Sequence, residues 1–300
     1  MKQNFNKYFT LILAICTFLS CSRDDDNSIA NDSFLAIPDA SFEAILIAQG
    51  IDSDGIVNQQ LLKSDAETVT ELNLNKFDFG KIHNVKGIHG FVSLTKLIVN
   101  QHNINEINLS ANTLLETVFL AGNSLSTIDI SKNINIETLD LTANELTEMV
   151  GLPKLNKLKD LDLSFNYLDE ITVSNASLEV LHISNNDLTS LDLSSVPNLK
   201  NLLLTSNKIH HLELLSNKKL ETLLVSDNQL ENINLSKNNN LTHLYITSNQ
   251  LNSLDISNNF NIIDLKVDRN PSLNCIKIAN GQDIQNKSLS DYQELNVLCN

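Results

Sequence analysis

The sequence has little of what enzymes and nucleic-acid-binding proteins usually need. Only 8 of its 300 residues are glycine, and it contains neither a glycine-rich phosphate loop nor a GxSxG nucleophile elbow. Its 21 basic residues stand against 36 acidic ones, a formal charge of −15, so it lacks the clustered lysine and arginine that bind nucleic acid. Its 7 histidines show no HExxH spacing. We therefore expect no cofactor, no resident metal and no nucleic-acid partner.

Long apolar runs are also scarce, and the one near the start has the features of an export signal. Lys2 and Lys7 precede the apolar run TLILAICTFL, which is too short to span a bilayer. Residues 1–20 are therefore predicted to be a signal peptide. The run FLSC that ends at Cys21 resembles the lipobox of bacterial lipoproteins, which implies lipidation of Cys21. Cys16 is a competing candidate, but Ile15 before it is bulky where cleavage requires a small residue. A further alternative is an ordinary signal peptide with an incidental cysteine.

Residues 21–36 are polar and acidic, so they are predicted to form a flexible tether. The run Asp24, Asp25 and Asp26 resembles the signal that exports some Bacteroidetes lipoproteins to the outer face of the outer membrane. A simple solvated charge run explains it equally well. We expect an exported protein that is held in the bacterial outer membrane by lipid alone and is exposed at the surface.

The rest of the chain repeats one pattern, LxxLxLxxNxL. Ten copies follow one another at steps of 20 to 25 residues, with their first positions at Val69, Leu94, Leu115, Ile136, Leu158, Leu178, Leu199, Leu220, Leu241 and Ile262. A fixed period of this size predicts a solenoid, because no single copy can bury its apolar side alone.

These copies resemble the leucine-rich repeat family, and their trailing halves (LSTIDISKN, LTSLDLSSV, LNSLDISNN) resemble short-repeat surface lipoproteins of Bacteroidetes-type bacteria. The resemblance implies a curved horseshoe over residues 69–272. A parallel β-sheet would line its concave face, and turns and extended segments its convex side. Alternating apolar residues in LxxLxL agree with a strand that is buried on one face.

The ninth position of most copies is asparagine, whose amide can satisfy backbone groups where the chain turns. We interpret this column as a structural ladder of Asn123, Asn144, Asn166, Asn186, Asn207, Asn228, Asn249 and Asn270. Phe77 and His102 occupy the same position in the first two copies, so we expect the ladder to fail there.

Both ends of the array are predicted to be capped. Residues 37–68 begin with an amphipathic helix between Ile37 and Gly50, which would cover the first turn of the solenoid. The turn DSDG at residues 52–55 suggests calcium, but Lys63 stands where an EF-hand requires glutamate.

Residues 273–300 are predicted to form a non-repeating C-terminal cap. Cys275 and Cys299 bracket this segment, and in an exported protein they are expected to form a disulfide that fastens the cap. A zinc site and two free thiols are the alternatives.

Function is expected on the concave face, at positions three, five and seven of each copy. The fifth positions and one neighbour form a striped set of candidate binding residues: Ile98, Phe119, Asp140, Asp160, Asp162, His182, Leu203, Leu224, Tyr245 and Lys266. Exposed apolar residues beside charged ones are typical of binding surfaces, although cross-strand packing is an alternative explanation.

The sequence thus favours a monomeric, non-enzymatic surface lipoprotein whose concave face binds a protein or peptide. A glycan-binding accessory lipoprotein is the alternative, disfavoured because Phe119 and Tyr245 lie far apart. Asp140, Asp162 and His182 share one column and suggest a cation site or a hydrolase, but a regular solenoid offers no pocket that excludes water.

Overall fold

A computed structural model describes residues 33–75 and 81–299, and in this part the chain winds into a parallel β-solenoid. Each turn contributes one short strand to a parallel sheet of 11 strands. In chain order these strands are β3 (Glu71–Asn73), β4 (Lys96–Ile98), β5 (Thr117–Phe119), β7 (Thr138–Asp140), β9 (Asp160–Asp162), β10 (Val180–His182), β11 (Asn201–Leu203), β12 (Thr222–Leu224), β13 (His243–Tyr245), β15 (Asp264–Lys266) and β17 (Asn286–Ser288).

The strands form because apolar residues alternate with others in LxxLxL. In β5 and the residue after it, Val118 and Leu120 are fully buried, while Thr117 and Phe119 remain partly exposed. Neighbouring turns pair in the same register, so Leu97, Val118 and Leu139 stack in one buried row. The leucine-rich repeat solenoid expected from the sequence is confirmed.

The opposite side of the solenoid is made mostly of turns. Short strands also pair there, as β6 (Thr127–Asp129) with β8 (Glu148–Val150), and as a sheet in the order β14 (Leu254–Asp255), β16 (Cys275–Lys277) and β18 (Glu294–Asn296). Two 3-10 helices, Ile88–Gly90 and Leu152–Lys154, replace extended chain in two turns.

The N-terminal cap begins earlier than the sequence suggested. Phe34–Ala36 forms strand β1, which pairs antiparallel with β2 (Gln60–Leu62), so these residues are not part of a tether. The physical reason is the alternation FLAI, which buries Leu35 and Ile37 against the first turns. Helices α1 (Ala40–Ala48) and α2 (Lys63–Glu67) complete the cap.

Two buried carboxylates hold this cap in place. The Asp39 carboxylate caps α1 by accepting hydrogen bonds from the Ser41 and Phe42 N–H groups, and it also accepts one from the His83 N–H at 2.7 Å. The Glu43 carboxylate is fully buried and accepts hydrogen bonds from the N–H groups of residues 58, 59 and 60. Helix and first turn are thereby joined by polar contacts as well as apolar ones.

The C-terminal segment is not a non-repeating cap, because it continues the solenoid. Strand β17 extends the main sheet and β18 extends the sheet on the opposite side. Glutamine takes over from asparagine here: the Gln293 amide donates to the Val267 carbonyl, as the ladder residue of an ordinary turn would. The disulfide between Cys275 and Cys299 is confirmed, with Cα atoms 5.7 Å apart.

Several sequence predictions fall on residues outside the described ranges. These are the signal peptide, the lipid-bearing Cys21, the acidic run at residues 24–26 and Phe77. Among the described residues, no helix is long and apolar enough to cross a membrane.

Candidate functional site

The candidate binding residues lie in the columns that the repeat register predicts. We call the outward side chains at positions three, five and seven of the turns the sheet face. In column five, Ile98 pairs with Phe119, Phe119 with Asp140, Asp140 with Asp162, and Asp162 with His182 on successive strands. The column continues from His182 through Leu203, Leu224 and Tyr245 to Lys266.

The apolar members of the sheet face are half-buried. Ile98, Phe119, Leu203, Leu224 and Tyr245 each keep an intermediate exposure, because they pack against their neighbours on adjoining strands. Cross-strand packing and an accessible apolar surface therefore coexist at these positions. The face presents one apolar stripe on each side of its centre.

At the C-terminal end of the face, polar contacts fix the ring of Tyr245. Its hydroxyl donates a hydrogen bond to the Asp264 carboxylate at 2.9 Å. The Lys266 ammonium lies 3.8 Å from the centre of the ring, within range of a cation–π interaction. The aromatic surface at this end is thus held in one orientation, as a preformed contact surface requires.

The centre of the face carries the charged cluster. The His182 Nδ1 atom lies 3.2 Å from the Asp162 Oδ2 atom, and this hydrogen bond is the main cause that raises the pKa of His182. Burial opposes ionisation of Asp162, but hydrogen bonds from His182 and the Ser164 N–H outweigh it and lower the pKa of Asp162. Burial and the nearby carboxylates of Asp162 and Asp140 raise the pKa of Asp160, against the opposing effect of His182.

Two exposed aromatic side chains at the rim of this face escaped the sequence analysis. Phe165 and Tyr167 are 57% and 60% exposed, and they flank the inward-pointing Asn166 in the turn that also carries Asp160 and Asp162. The available signal was their position, because the eighth and tenth places of the other turns hold small, polar or charged residues or proline.

Within residues 33–75 and 81–299, no group of three or more histidine, cysteine, aspartate or glutamate side chains is placed to hold a metal ion. The DSDG turn is instead closed internally, since the Asp54 carboxylate accepts hydrogen bonds from the Ile56 N–H and the Asn58 side-chain amide. A cleft of about 810 Å³ lies at the N-terminal cap, lined by Pro38, His83 and His89 among others, away from the charged cluster.

Known proteins resemble this chain in fold, but no sequence family matches it. No protein-family model matches the chain, and no curated protein matches it. Among solved structures, the functional domain of InlJ from Listeria monocytogenes, which includes a cysteine ladder, superposes with a TM-score of 0.72 at 25% identity. That match covers 82% of this chain, which spans only 56% of the InlJ chain.

Two further structures agree. Internalin C2 from Listeria monocytogenes matches with a TM-score of 0.60 at 27% identity, covering 70% of this chain and 95% of its own. A complex of Latrophilin 3, Unc5D and the leucine-rich repeat domain of FLRT2 matches with a TM-score of 0.55 at 18% identity, covering 71% and 75%. The chain has the leucine-rich repeat fold.

In this leucine-rich repeat solenoid, the ninth-position asparagines join each turn to the one before. The Asn123 amide donates to the Val99 carbonyl at 2.7 Å and to the Leu120 carbonyl at 3.0 Å, while its oxygen accepts from the Ile104 N–H at 3.2 Å. The same pattern recurs at the other ladder positions, Asn144, Asn166, Asn186, Asn207, Asn228, Asn249 and Asn270.

The sequence predicted that the ladder fails at His102, but the failure is only partial. The His102 Nε2 atom lies 3.2 Å from the Leu74 carbonyl and replaces one bond of the missing asparagine. Its Nδ1 atom is buried and has no hydrogen-bond partner within the described ranges. Burial lowers the pKa of His102, so the ring is neutral at pH 7 and serves as a structural substitute.

A second asparagine ladder, missed by the sequence analysis, supports the opposite side of the repeats. Its members are fully buried, and each side-chain amide donates to two carbonyls of the preceding turn: Asn112, Asn133, Asn175, Asn217, Asn238 and Asn259. Gln282 continues it in the next turn. With both ladders in place, the strands that carry the sheet face are fixed from two sides.

Proposed function

We propose that this protein is a non-enzymatic surface lipoprotein that binds a protein or peptide through its sheet face. One observation carries the proposal. Apolar side chains at Phe119, Leu203, Leu224 and Tyr245 stay partly accessible on a face where solubility alone would need only polar residues. They flank a charged centre, and apolar contacts beside charges are the usual composition of a recognition surface.

The shape of the face suits an extended partner. Strands in a sheet lie about 4.8 Å apart, so the 11 strands present a surface roughly 48 Å long. A polypeptide that lies across the strands contacts many turns at once, which gives a usable area without a deep pocket. In support, the leucine-rich repeat domain of FLRT2 occurs in a complex with other proteins.

The N-terminal residues supply the proposed location. Lipidated Cys21 would anchor the chain in the outer membrane, and the stretch from there to Ser33 could extend about 40 Å at roughly 3.3 Å per residue. The sheet face would then stand clear of the membrane and be open to partners outside the cell. A chain without its lipid would be released from the membrane fraction.

We also propose that the protein is a monomer. Strand β17 is the C-terminal edge of the main sheet, and all three of its residues are exposed. Its central residue is Lys287, and a lysine on an edge strand disfavours pairing with a second copy because like charges would meet. Sedimentation equilibrium should give the monomer mass, and a dimer would contradict this part of the proposal.

The binding proposal is tested with residues 22–300 immobilised and exposed to extracts of cell envelopes and host cells. The test variant changes Phe119, Leu203, Leu224 and Tyr245 to Ser. A matched control changes four exposed apolar residues elsewhere, Ile56, Val57, Leu215 and Phe260, to Ser. A partner that binds the control variant but not the folded test variant would support binding at the sheet face.

Equal capture by wild type and test variant would overturn the use of this face. Circular dichroism establishes whether the fourfold variant has folded, and the single variants Phe119→Thr and Leu224→Thr replace it if it has not. The anchor is tested separately in bacteria that are fed labelled palmitate. Cys21→Ala should abolish labelling and Cys16→Ala should not; labelling that survives Cys21→Ala would contradict the lipid anchor.

A further inference from the structure

The turn at the centre of the array combines features that occur together in no other described turn. Asp160 and Asp162 lie on its strand, and Phe165 and Tyr167 stand exposed at its rim. The eighth residue of the turns adopts a left-handed backbone, with φ of 58° at Phe165 and 56° at Asn185. This conformation disfavours residues with a Cβ atom and suits asparagine better than phenylalanine.

The fold itself does not require aromatic residues at these two places. The eighth position of other turns holds Gly122, Ala143 and Ser206, and the tenth position holds Gln229 and Gln250. With more than half of each side chain exposed, Phe165 and Tyr167 contribute little to the core. Large aromatic residues are among the residue types that most often carry binding energy in interfaces.

The electrostatics of the same region identify the charge of the partner. Asp140, Asp160 and Asp162 face outward from two adjoining strands, and the His182 imidazole forms a hydrogen bond with Asp162. In the turns that begin at Ile136, Leu158 and Leu178, no lysine or arginine occupies position three, five or seven.

The nearest lysines already have partners. Lys159 and Lys200, at the second position of their turns, form ion pairs of 2.7 Å with Glu137 and Glu179. The Asp160 carboxylate, by contrast, makes no hydrogen bond or ion pair within the described ranges. A half-buried, unpaired carboxylate beside two others is complemented by a cation from a partner.

On the basis of the proposed function, we infer that the partner of the sheet face is an extended polypeptide segment that places an arginine on the central turn. Its guanidinium would donate hydrogen bonds to the Asp160 and Asp162 carboxylates, and Phe165 and Tyr167 would hold the segment by stacking at the rim. Arginine fits better than lysine, because its planar fork bridges two carboxylates and its face stacks on aromatic rings.

The spacing of the face predicts what flanks this arginine. Asp162 lies two strands from Phe119 on one side and two strands from Leu203 on the other, about 10 Å each way at roughly 4.8 Å per strand. A segment in the extended polyproline II conformation rises about 3.1 Å per residue and has three residues per turn, so residues three places apart span this distance and face the same side. The segment should therefore have apolar residues three places before and three places after its arginine.

The test is a selection from a display library of random 12-residue peptides on residues 22–300, followed by titration of the synthesised consensus peptide. We expect an enriched arginine with apolar residues three places away. Replacing that arginine by lysine should weaken binding about fivefold or more, and the double variant Asp160→Asn, Asp162→Asn should weaken it at least tenfold.

Matched variants separate these effects from a general change in charge or fold. Asp169→Asn with Glu170→Gln removes the same charge from exposed positions of the same turn and should leave binding unchanged. Phe165→Asn with Tyr167→Gln installs residues found at these positions in other turns, so the fold is preserved, and it should weaken binding about tenfold.

Consensus peptides without arginine, or arginine peptides that bind the Asp160 and Asp162 variant as tightly as wild type, would overturn the inference. If such peptides still lose binding with the fourfold serine variant of the sheet face, the proposed function stands without the arginine. Peptides that bind the aspartate variant and the fourfold serine variant as tightly as wild type would count against both the inference and the proposed function. A selection that enriches no peptide would also count against both.

Discussion

The imidazole of His182 and the carboxylate of Asp162, on neighbouring strands of the main sheet, form a hydrogen bond of 3.2 Å across the centre of the sheet face. The two side chains lie on an open surface, and both are still about 70% buried. Their contact joins two neighbouring turns through side chains as well as through the sheet. It also makes the charge of the face depend on pH.

The first prediction concerns this pair. Its hydrogen bond raises the pKa of His182 above the ordinary value of 6.5, so the charged form is favoured in the folded chain. The stabilisation is complete below pH 6.5 and is lost as pH rises through the folded pKa. His182→Leu, which copies the residue at position 203, should lower the free energy of unfolding by about 1 kcal/mol at pH 5.5, a typical contribution of one hydrogen bond, and by less at pH 8.5.

Urea denaturation of both proteins at the two pH values measures this difference. Asp140, Asp160 and Asp162 all face His182, so the wild-type curve alone does not isolate its titration. The difference between the unfolding free energies of variant and wild type isolates the titration of His182. A deficit in the variant that grows between pH 5.5 and pH 8.5 would contradict the assigned direction of the shift.

The sequence predicted the parts of the fold that depend on one turn and its period. Because side chains alternate along a strand, position five of each turn had to face outward, and Asp140, Asp162 and His182 did fall in one column. Leu97 and Leu265, at position four of their turns, are fully buried for the same reason. Only the contact distance between His182 and Asp162 had to come from the structure.

Features that depend on partners one turn away were harder to predict. Asn217 sits in a polar run, SNKK, that reads as an exposed loop, but its amide reaches carbonyls 21 and 24 residues earlier in the chain. The last turn was not predicted, because Gln293 stands where the repeat pattern has asparagine. Phe165 and Tyr167 lie at positions whose residue type varies between turns, and their large exposed fractions came from the structure.

The second asparagine ladder gives a prediction of stability. Asn217→Ala removes hydrogen bonds of 3.1 and 2.8 Å to the Leu193 and Val196 carbonyls, each of which keeps one backbone N–H donor. The free energy of unfolding should fall by about 1 to 3 kcal/mol, at roughly 0.5 to 1.5 kcal/mol for each buried hydrogen bond lost. The exposed Asn239→Ala should change it by less than about 0.5 kcal/mol. Equal effects of the two substitutions in urea denaturation would refute a structural role for this ladder.

The disulfide gives a local prediction. Cys275 and Cys299 are 24 residues apart, and a closed loop of this size contributes about 3 kcal/mol on the chain-entropy model. Because neighbouring turns interact only with each other, the double Cys→Ser variant should lose hydrogen-exchange protection mainly after residue 270. The central strand β10 should keep its protection. Uniform loss over the whole array would show that the disulfide acts globally and not on the last turns.

The final prediction links stability to binding at the central rim. Phe165 has a φ of 58°, and in the next turn Asn185 holds the same conformation at 56°. Asparagine adopts this left-handed backbone more readily, so Phe165→Asn should raise the free energy of unfolding by about 0.5 to 1 kcal/mol. The substitution should also weaken binding of the peptide selected on the sheet face. A residue that strains the fold and strengthens binding is retained for the partner, whereas a variant that loses both stability and affinity would place Phe165 in the core of the fold instead. Thermal unfolding and peptide titration of one preparation distinguish the two roles.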